Sequence, residues 1–384
     1  MPSLSFARLM GLATVLALAG FQPDVSAKQG INDSGMLLCL DSGGNLSSAC
    51  ANTGQDGEFG RDISKASPKD GRAGFSFVKV CNSGELAGTG TCPSNPKLGT
   101  KPDKWGCTQD KVTGLIWEVK TSDGGLRDGR NVYTNHGDRR AGDASLYADA
   151  VNATGLCGAS SWRFATPAEL HGISDHSKLS SESPFDPQWF PNNSGASWTD
   201  TTDASSPADF AWSVGQTPAR RPRWYEIGVM LVQGARAATP RFAANGNEII
   251  DKQTGLTWRR CAEGMVWQNK TCTGVATKMF WEHSLAHARN VATQTGAAWR
   301  VPNAKELFSI VSVEHFNPSI DAKMFPNTPF DSSCYWTSTP DANPPWTGMP
   351  PFVYCNSFMD GTLAWAGFNT DINPQWLRLV RTTN

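Results

Sequence analysis

No CxxC pair occurs among the ten cysteines of this 384-residue chain, so neither a zinc ribbon nor a thioredoxin-like redox motif is written into it. GxSxG, HExxH, the P-loop and the dinucleotide fingerprint are missing as well, which removes the common signatures of serine hydrolases, zinc proteases and nucleotide-dependent enzymes. An excess of either charge is lacking: 34 Lys and Arg stand against 35 Asp and Glu, a net of -1. Bulk electrostatics therefore predict no nucleic-acid partner and no attraction to anionic membranes. No collagen-like Gly-X-Y tract is present. After the first 27 residues no apolar run is long enough for a transmembrane helix.

Those first residues read as an export signal. Arg8 is the only charge of a short leader, Leu9 to Ala19 form an apolar stretch, and Val25-Ser26-Ala27 ends in small residues suited to cleavage. The stretch is too short for a membrane anchor, and no cysteine precedes Cys39 to carry a lipid. The expected address is periplasmic or extracellular. There the cysteines are expected to pair by proximity: Cys39 with Cys50, Cys81 with Cys92, Cys261 with Cys272, Cys334 with Cys355, and the remaining Cys107 with Cys157. A loop of this size gains roughly 3 kcal/mol by the chain-entropy account.

The most informative presence is a repetition. Asp110-Lys111-Val112-Thr113-Gly114-Leu115-Ile116-Trp117 returns as Asp251-Lys252-Gln253-Thr254-Gly255-Leu256-Thr257-Trp258. Trp162-Arg163 with Thr166-Pro167-Ala168-Glu169-Leu170 returns as Trp299-Arg300 with Asn303-Ala304-Lys305-Glu306-Leu307. Phe190-Pro191-Asn192 matches Phe325-Pro326-Asn327, and Trp198-Thr199 matches Trp336-Thr337. Matched landmarks in one order mean two copies of one domain. The expected division is a signal peptide at 1–27, a Gly/Ser-rich disulfide-stapled β region at 28–104, a first copy at 105–234 and a second at 241–384.

Within each copy, Thr-Gly-Leu-x-Trp reads as a turn into a strand, Gly supplying the turn. A helix follows, with Trp281, Leu285, Ala288 and Ala292 on its buried face in the second copy and Ser145–Asn152 as its counterpart in the first. A second helix starts at a capping box: Thr166 with Glu169, and Asn303 with Glu306. That assigns the two glutamates to backbone N–H groups. Short strands complete each copy, giving an α+β fold with short mixed or antiparallel sheets, two helices per copy and long loops. Trp117, Trp162, Trp258, Trp299 and Trp336 sit in landmarks and are read as core.

The run from Asp110 to Glu118, the Trp-Arg pair, the capped helix, Trp198-Thr199, and Tyr335-Trp336-Thr337-Ser338-Thr339 with Arg378-Leu379-Val380-Arg381 resemble the Lcl C-terminal domain family over about residues 105–383. That bacterial family is named for the carbohydrate-binding end of a collagen-like adhesin. The resemblance implies C-type-lectin-like copies and an exported, non-enzymatic, adhesin-like protein that recognises carbohydrate or a surface polymer. Its alternatives are an envelope structural or assembly protein, and an exported enzyme on a formylglycine-generating-like fold. The first copy departs from the pattern at Ala165, opposite Pro302, and at Gln233, opposite Arg381, which leaves open whether both copies bind or the first is degenerate.

For ligand contact the candidates are Arg220, Arg221 and Arg223 with Trp224, where guanidinium forks beside an indole suit an acidic glycan, together with Trp346 and Trp365 in the second copy's loops. His283 and His287, four apart on a helix, lack a further ligand and are read as surface. Asp341 and Asn343 are a faint echo of a calcium site. No metal and no cofactor are expected. A glycan or cell-surface polymer is the expected partner, and the oligomeric state is left open.

Overall fold

The computed structural model describes residues 30–64, 70–193, 195–236, 240–343, 349–367 and 374–383. The fold is α+β, with more strand than helix. In the first copy, β1 (Phe77–Cys81), β2 (Trp105–Asp110), β3 (Ile116–Glu118), β4 (Arg163–Phe164) and β9 (Leu231–Gln233) form an antiparallel sheet of order β1-β2-β3-β9-β4. A second sheet holds β5 (Ser197–Thr202), β6 (Phe210–Val214), β7 (Pro218–Pro222) and β8 (Gly228–Val229) in the order β8-β5-β6-β7. Its β8 runs parallel to β5.

The second copy repeats the plan. Strands β10 (Phe242–Asn245), β11 (Glu248–Asp251), β12 (Leu256–Arg259) and β16 (Val380–Thr382) form one sheet, with Arg300 bridging to Val380 where β4 pairs with β9. Strands β13 (Tyr335–Pro340), β14 (Phe352–Asn356) and β15 (Leu363–Gly367) form the other. Even the irregularity recurs: the β5–β6 register shifts between Trp198 and Thr202, and the β13–β14 register between Trp336 and Pro340.

The repeated residues turn out to be local folding devices. Asp110 accepts from Val112 N and Thr113 Oγ1 at 2.9 and 2.7 Å, and Asp251 accepts from Gln253 N and Thr254 Oγ1 at 3.0 and 2.7 Å. Gly114 and Gly255 then take φ of 80° and 72°, a region open to glycine at little cost. Each Asp-x-x-Thr-Gly segment is thus a side-chain-braced turn. Helices α1 (Ala144–Ala153) and α3 (Trp281–Thr295) lie at the expected places. The capped helices are α2 (Pro167–Gly172) and α4 (Ala304–Ser309), and both capping boxes form as expected.

The Trp-Arg landmark has a use of its own. Arg163 grips Glu169 with two bonds at 2.8 and 2.7 Å, and Arg300 grips Glu306 with two at 2.6 Å. Each glutamate therefore caps its helix and ties it to the preceding strand through a forked ion pair. Trp117, Trp162, Trp198, Trp258, Trp299 and Trp336 are all buried. All five disulfides join the expected partners, and no cysteine is free.

The stretch at 28–104 has too few large apolar residues for a core of its own, and its described part leans on both copies. Leu40 packs with Trp281 and Leu285, Thr53 O accepts from Arg289, and Asp56 accepts from Thr339 at 2.5 Å. Strand β1 from the same stretch is the edge of the first copy's sheet. No helix of the described residues is long and apolar enough to cross a membrane. The leader at 1–27 lies outside the described residues.

Candidate functional site

The arginine cluster on and just after β7 separates into three roles. Arg220 binds Asp360 of the second copy at 2.9 Å and approaches Asp203 at 3.5 Å, so it links the two copies. Arg223 spends its guanidinium on the backbone carbonyls of Asn135 at 2.6 Å, Pro207 at 2.8 Å and His136. Arg221 bonds Ser213 Oγ through Nε at 3.1 Å and lies 5.6 Å from the Tyr225 ring centre. The three forks therefore do not converge on one ligand.

What this region exposes instead is aromatic. Trp224 is 65 % exposed, Tyr225 44 % and Phe210 37 %. The Trp224 and Tyr225 rings are 5.8 Å apart, and Phe210 pairs with Pro222 across β6 and β7. Arg223 fastens the loop that bears the first two. Trp365, 48 % exposed, pairs with Tyr354 across β14 and β15, just as Arg220 pairs with Trp212 across β6 and β7. Trp365 and Arg220 are thus counterparts in the two copies. Trp346 lies outside the described residues. Tyr225 and Phe210 were not singled out from sequence; the neighbour Trp224 was the signal for the first, and Phe210 carried none.

Arg381, the counterpart of Gln233, bonds Glu248 at 2.9 Å and stacks over Trp299. Ala165 O and Pro302 O accept the same strand N–H groups, from Asp200 and Ser338. Both departures of the first copy thus concern scaffold contacts rather than the aromatic surface. His287 is not simply solvated: its Nε2 lies 2.8 Å from Glu263 Oε2, and Glu263 also takes Arg259. Among the described residues no three His, Cys, Asp or Glu side chains are grouped to hold a metal.

The sequence pattern of the Lcl C-terminal domain matches residues 106–226 and again 247–381. The chain belongs to this family. It carries the domain in tandem, and no curated protein matches it.

Between the two Lcl C-terminal copies lies a polar seam. Helices α2 and α4 lie against each other. Lys305 of α4 donates to Gly172 O at the end of α2 at 2.9 Å and to Asp33 O at 2.5 Å, with its ammonium 4.4 Å from the Phe75 ring centre. Burial pulls its pKa down to about 7 although Asp175, Asp33, Asp110 and Asp56 oppose that shift. His171 of α2 and His176 meet Nε2 to Nε2 at 2.8 Å, both buried, packed edge-on against Phe308 and Tyr354 of the second copy. Burial, and then the Lys305 charge, push His176 down to about 3; His171 is also held well below its ordinary value, chiefly by burial. Asp56, buried beside this seam, is raised to about 6 by burial.

Proposed function

We propose that this chain is an exported, non-enzymatic binding protein whose C-type-lectin-like copies recognise carbohydrate or another surface polymer. The observation that carries the reading is the exposed aromatic pair Trp224 and Tyr225, with Arg221 beside the Tyr225 ring and exposed Phe210 on the neighbouring strand. Side chains of this size are seldom left grouped in water without a partner. An indole and a phenol present flat apolar faces to the C–H face of a sugar ring, while keeping polar edges for its hydroxyls. Arg221 supplies charge for acidic groups. The loop is fastened in advance by Arg223, which lowers the ordering cost of binding.

Trp365 offers the second copy a contact of the same chemical kind, and a tethered second site strengthens weak binding. Five disulfides suit an oxidising compartment, in keeping with the leader read at 1–27. With every cysteine paired, the thiol chemistry of a formylglycine-generating reaction has no residue to use.

The test is retention on arrayed glycans and immobilised cell-surface polymers at low and moderate salt. The expected result is saturable binding that falls about tenfold in a Trp224→Ala/Tyr225→Ala variant and loses salt sensitivity in Arg221→Ala. Absence of binding to every glycan and surface, or binding untouched by the double variant, would overturn the proposal.

A further inference from the structure

A cleft of about 370 Å³ opens at the seam, away from the aromatic surface. The two braced turns, Asp110–Thr113 and Lys252–Thr254, border it, together with both capped helices and the segment at Gly30–Asn32. Its existence traces to one difference between the copies. Ala168 on α2 is the counterpart of Lys305 on α4. Lys305 spans the seam to Gly172 O, whereas the short Ala168 side chain leaves open space, with Ser309, the counterpart of Gly172, on the opposite wall.

The cleft carries hydrogen-bonding capacity that the protein leaves unused. Asn32 is 1 % exposed; its Nδ2 donates to Asp110, but its Oδ1, although buried, has no partner. Lys305 has three N–H donors and only two bonded acceptors, Asp33 O and Gly172 O. Trp117 Nε1 is unpartnered too. The remaining walls include Ile31, Leu115 and Pro240, which are apolar.

The charges bordering the cleft are unequal in their partners. Glu169 is gripped by Arg163, Arg241 by Asp251, and Arg236 by Asp200. Asp110 is satisfied by Asn32 and Thr113, and burial shifts it toward its neutral form. Lys305, Lys252 and Asp110 have no ion pair among the described residues, and of the three Asp110 has its carboxylate held by Asn32 and Thr113. The cations without a direct carboxylate partner are therefore Lys305, deep in the cleft, and Lys252, at its rim, with Asp33, Asp56, Asp110 and Asp175 acting on Lys305 from further away.

We infer that the seam cleft binds a small hydroxy acid, its carboxylate on Lys305, a hydroxyl donated to Asn32 Oδ1, and its carbon skeleton against Leu115 and Trp117. Such chemistry reaches the protein either as a free hydroxy acid or as the terminal uronic acid of a glycan. The site is independent of the aromatic surface, so either can fail without the other.

Isothermal titration of the whole chain with 3-phenyllactate and with glucuronate separates the two sources, with 3-phenyllactamide and glucose as uncharged counterparts. Saturable binding of at least one acid, with Kd below about 1 mM, and at least tenfold weaker binding of its neutral counterpart are expected. Ala168→Trp, on an exposed helix position, should remove binding by filling the cleft, with melting temperature confirming that it folds. Lys252→Met provides a second variant at the rim and should weaken binding severalfold. No heat from either acid, equal binding of the neutral compounds, or full affinity in both variants would overturn the assignment.

Discussion

The two copies share a scaffold and differ in what they do with the same positions. Met230 and Arg378 are counterparts, one before Leu231 on β9 and the other before Leu379 near β16. Both are buried. Around Arg378 the second copy has arranged acceptors: Arg259 O at 2.9 Å, Arg260 O, and Thr328 Oγ1 at 2.8 Å, with the Phe325 ring 4.9 Å from the guanidinium. Met230 sits among Phe75, Phe77, Leu115 and Val232. A scaffold position accepts a methionine or a guanidinium according to what the rest of the copy supplies around it. At the seam Lys305 meets Gly172 O and His171 meets Phe308, whereas the counterparts Ala168 and Ser309 border an open cleft, so the surfaces that meet are unlike, as two partners require.

Exchanging residues between the copies puts this comparison under strain. Met230→Arg should be the most damaging, because a buried guanidinium would find an apolar cluster in place of acceptors. We expect a loss of about 4 kcal/mol or more, measured by denaturant unfolding; a loss below that of Arg378→Met would contradict the account. Arg378→Met, which strands the carbonyls and hydroxyl it now satisfies, is expected to cost about 3 kcal/mol. If that variant were as stable as the parent, the arginine would not be anchoring its copy.

The histidine pair tests the seam through pH. In the unfolded chain His176 takes up a proton near pH 6.5, whereas in the fold it does so only near 3. A depressed histidine contributes stability above pH 6.5 that is lost as pH falls toward the folded value. Between pH 7 and 5 this amounts to about 2 kcal/mol for His176 alone. Asp56, raised to about 6, acts in the opposite sense over part of that range, since its folded form binds a proton first. The measurement is therefore a difference: His176→Gln should lose less stability than the parent between pH 7 and 5. Parallel pH profiles would remove the histidine from the seam's energetics.

Smaller effects are expected at the surface. Arg220→Ala breaks a partly exposed ion pair between the copies and should cost about 1 kcal/mol or less. Trp224→Ala should leave stability within about 0.5 kcal/mol while weakening binding, so a large drop in melting temperature would reassign Trp224 from surface to scaffold.

Much of the scaffold was legible because its devices are short. A capping box and a braced turn each span four residues, and the short disulfide hairpins join cysteines eleven positions apart; each can be read along one stretch of chain. The core tryptophans were legible from their place in the repeated landmarks. The candidate surface was only half legible. Trp224 and Trp365 stand exposed, Trp365 on strand β15 rather than in the expected loop, and the arginines of one short run divide among Asp360, Ser213 and the Asn135–His136 loop. Nothing in Arg220-Arg221-Pro222-Arg223 states that its partners lie up to 140 residues away.

Sequence by itself determined the family, the two copies, the five disulfides, the helix starts and the identity of the buried tryptophans. These follow from residue type, spacing and hydrogen bonds that close within a few residues. Tertiary structure alone decided which cations are spent, that Lys305 reaches across to Gly172 while Ala168 leaves a cleft, and that two histidines meet in the dark between the copies. Those outcomes depend on how two separately patterned surfaces are brought together, and desolvation at such a contact is a property of the pair rather than of either stretch of chain.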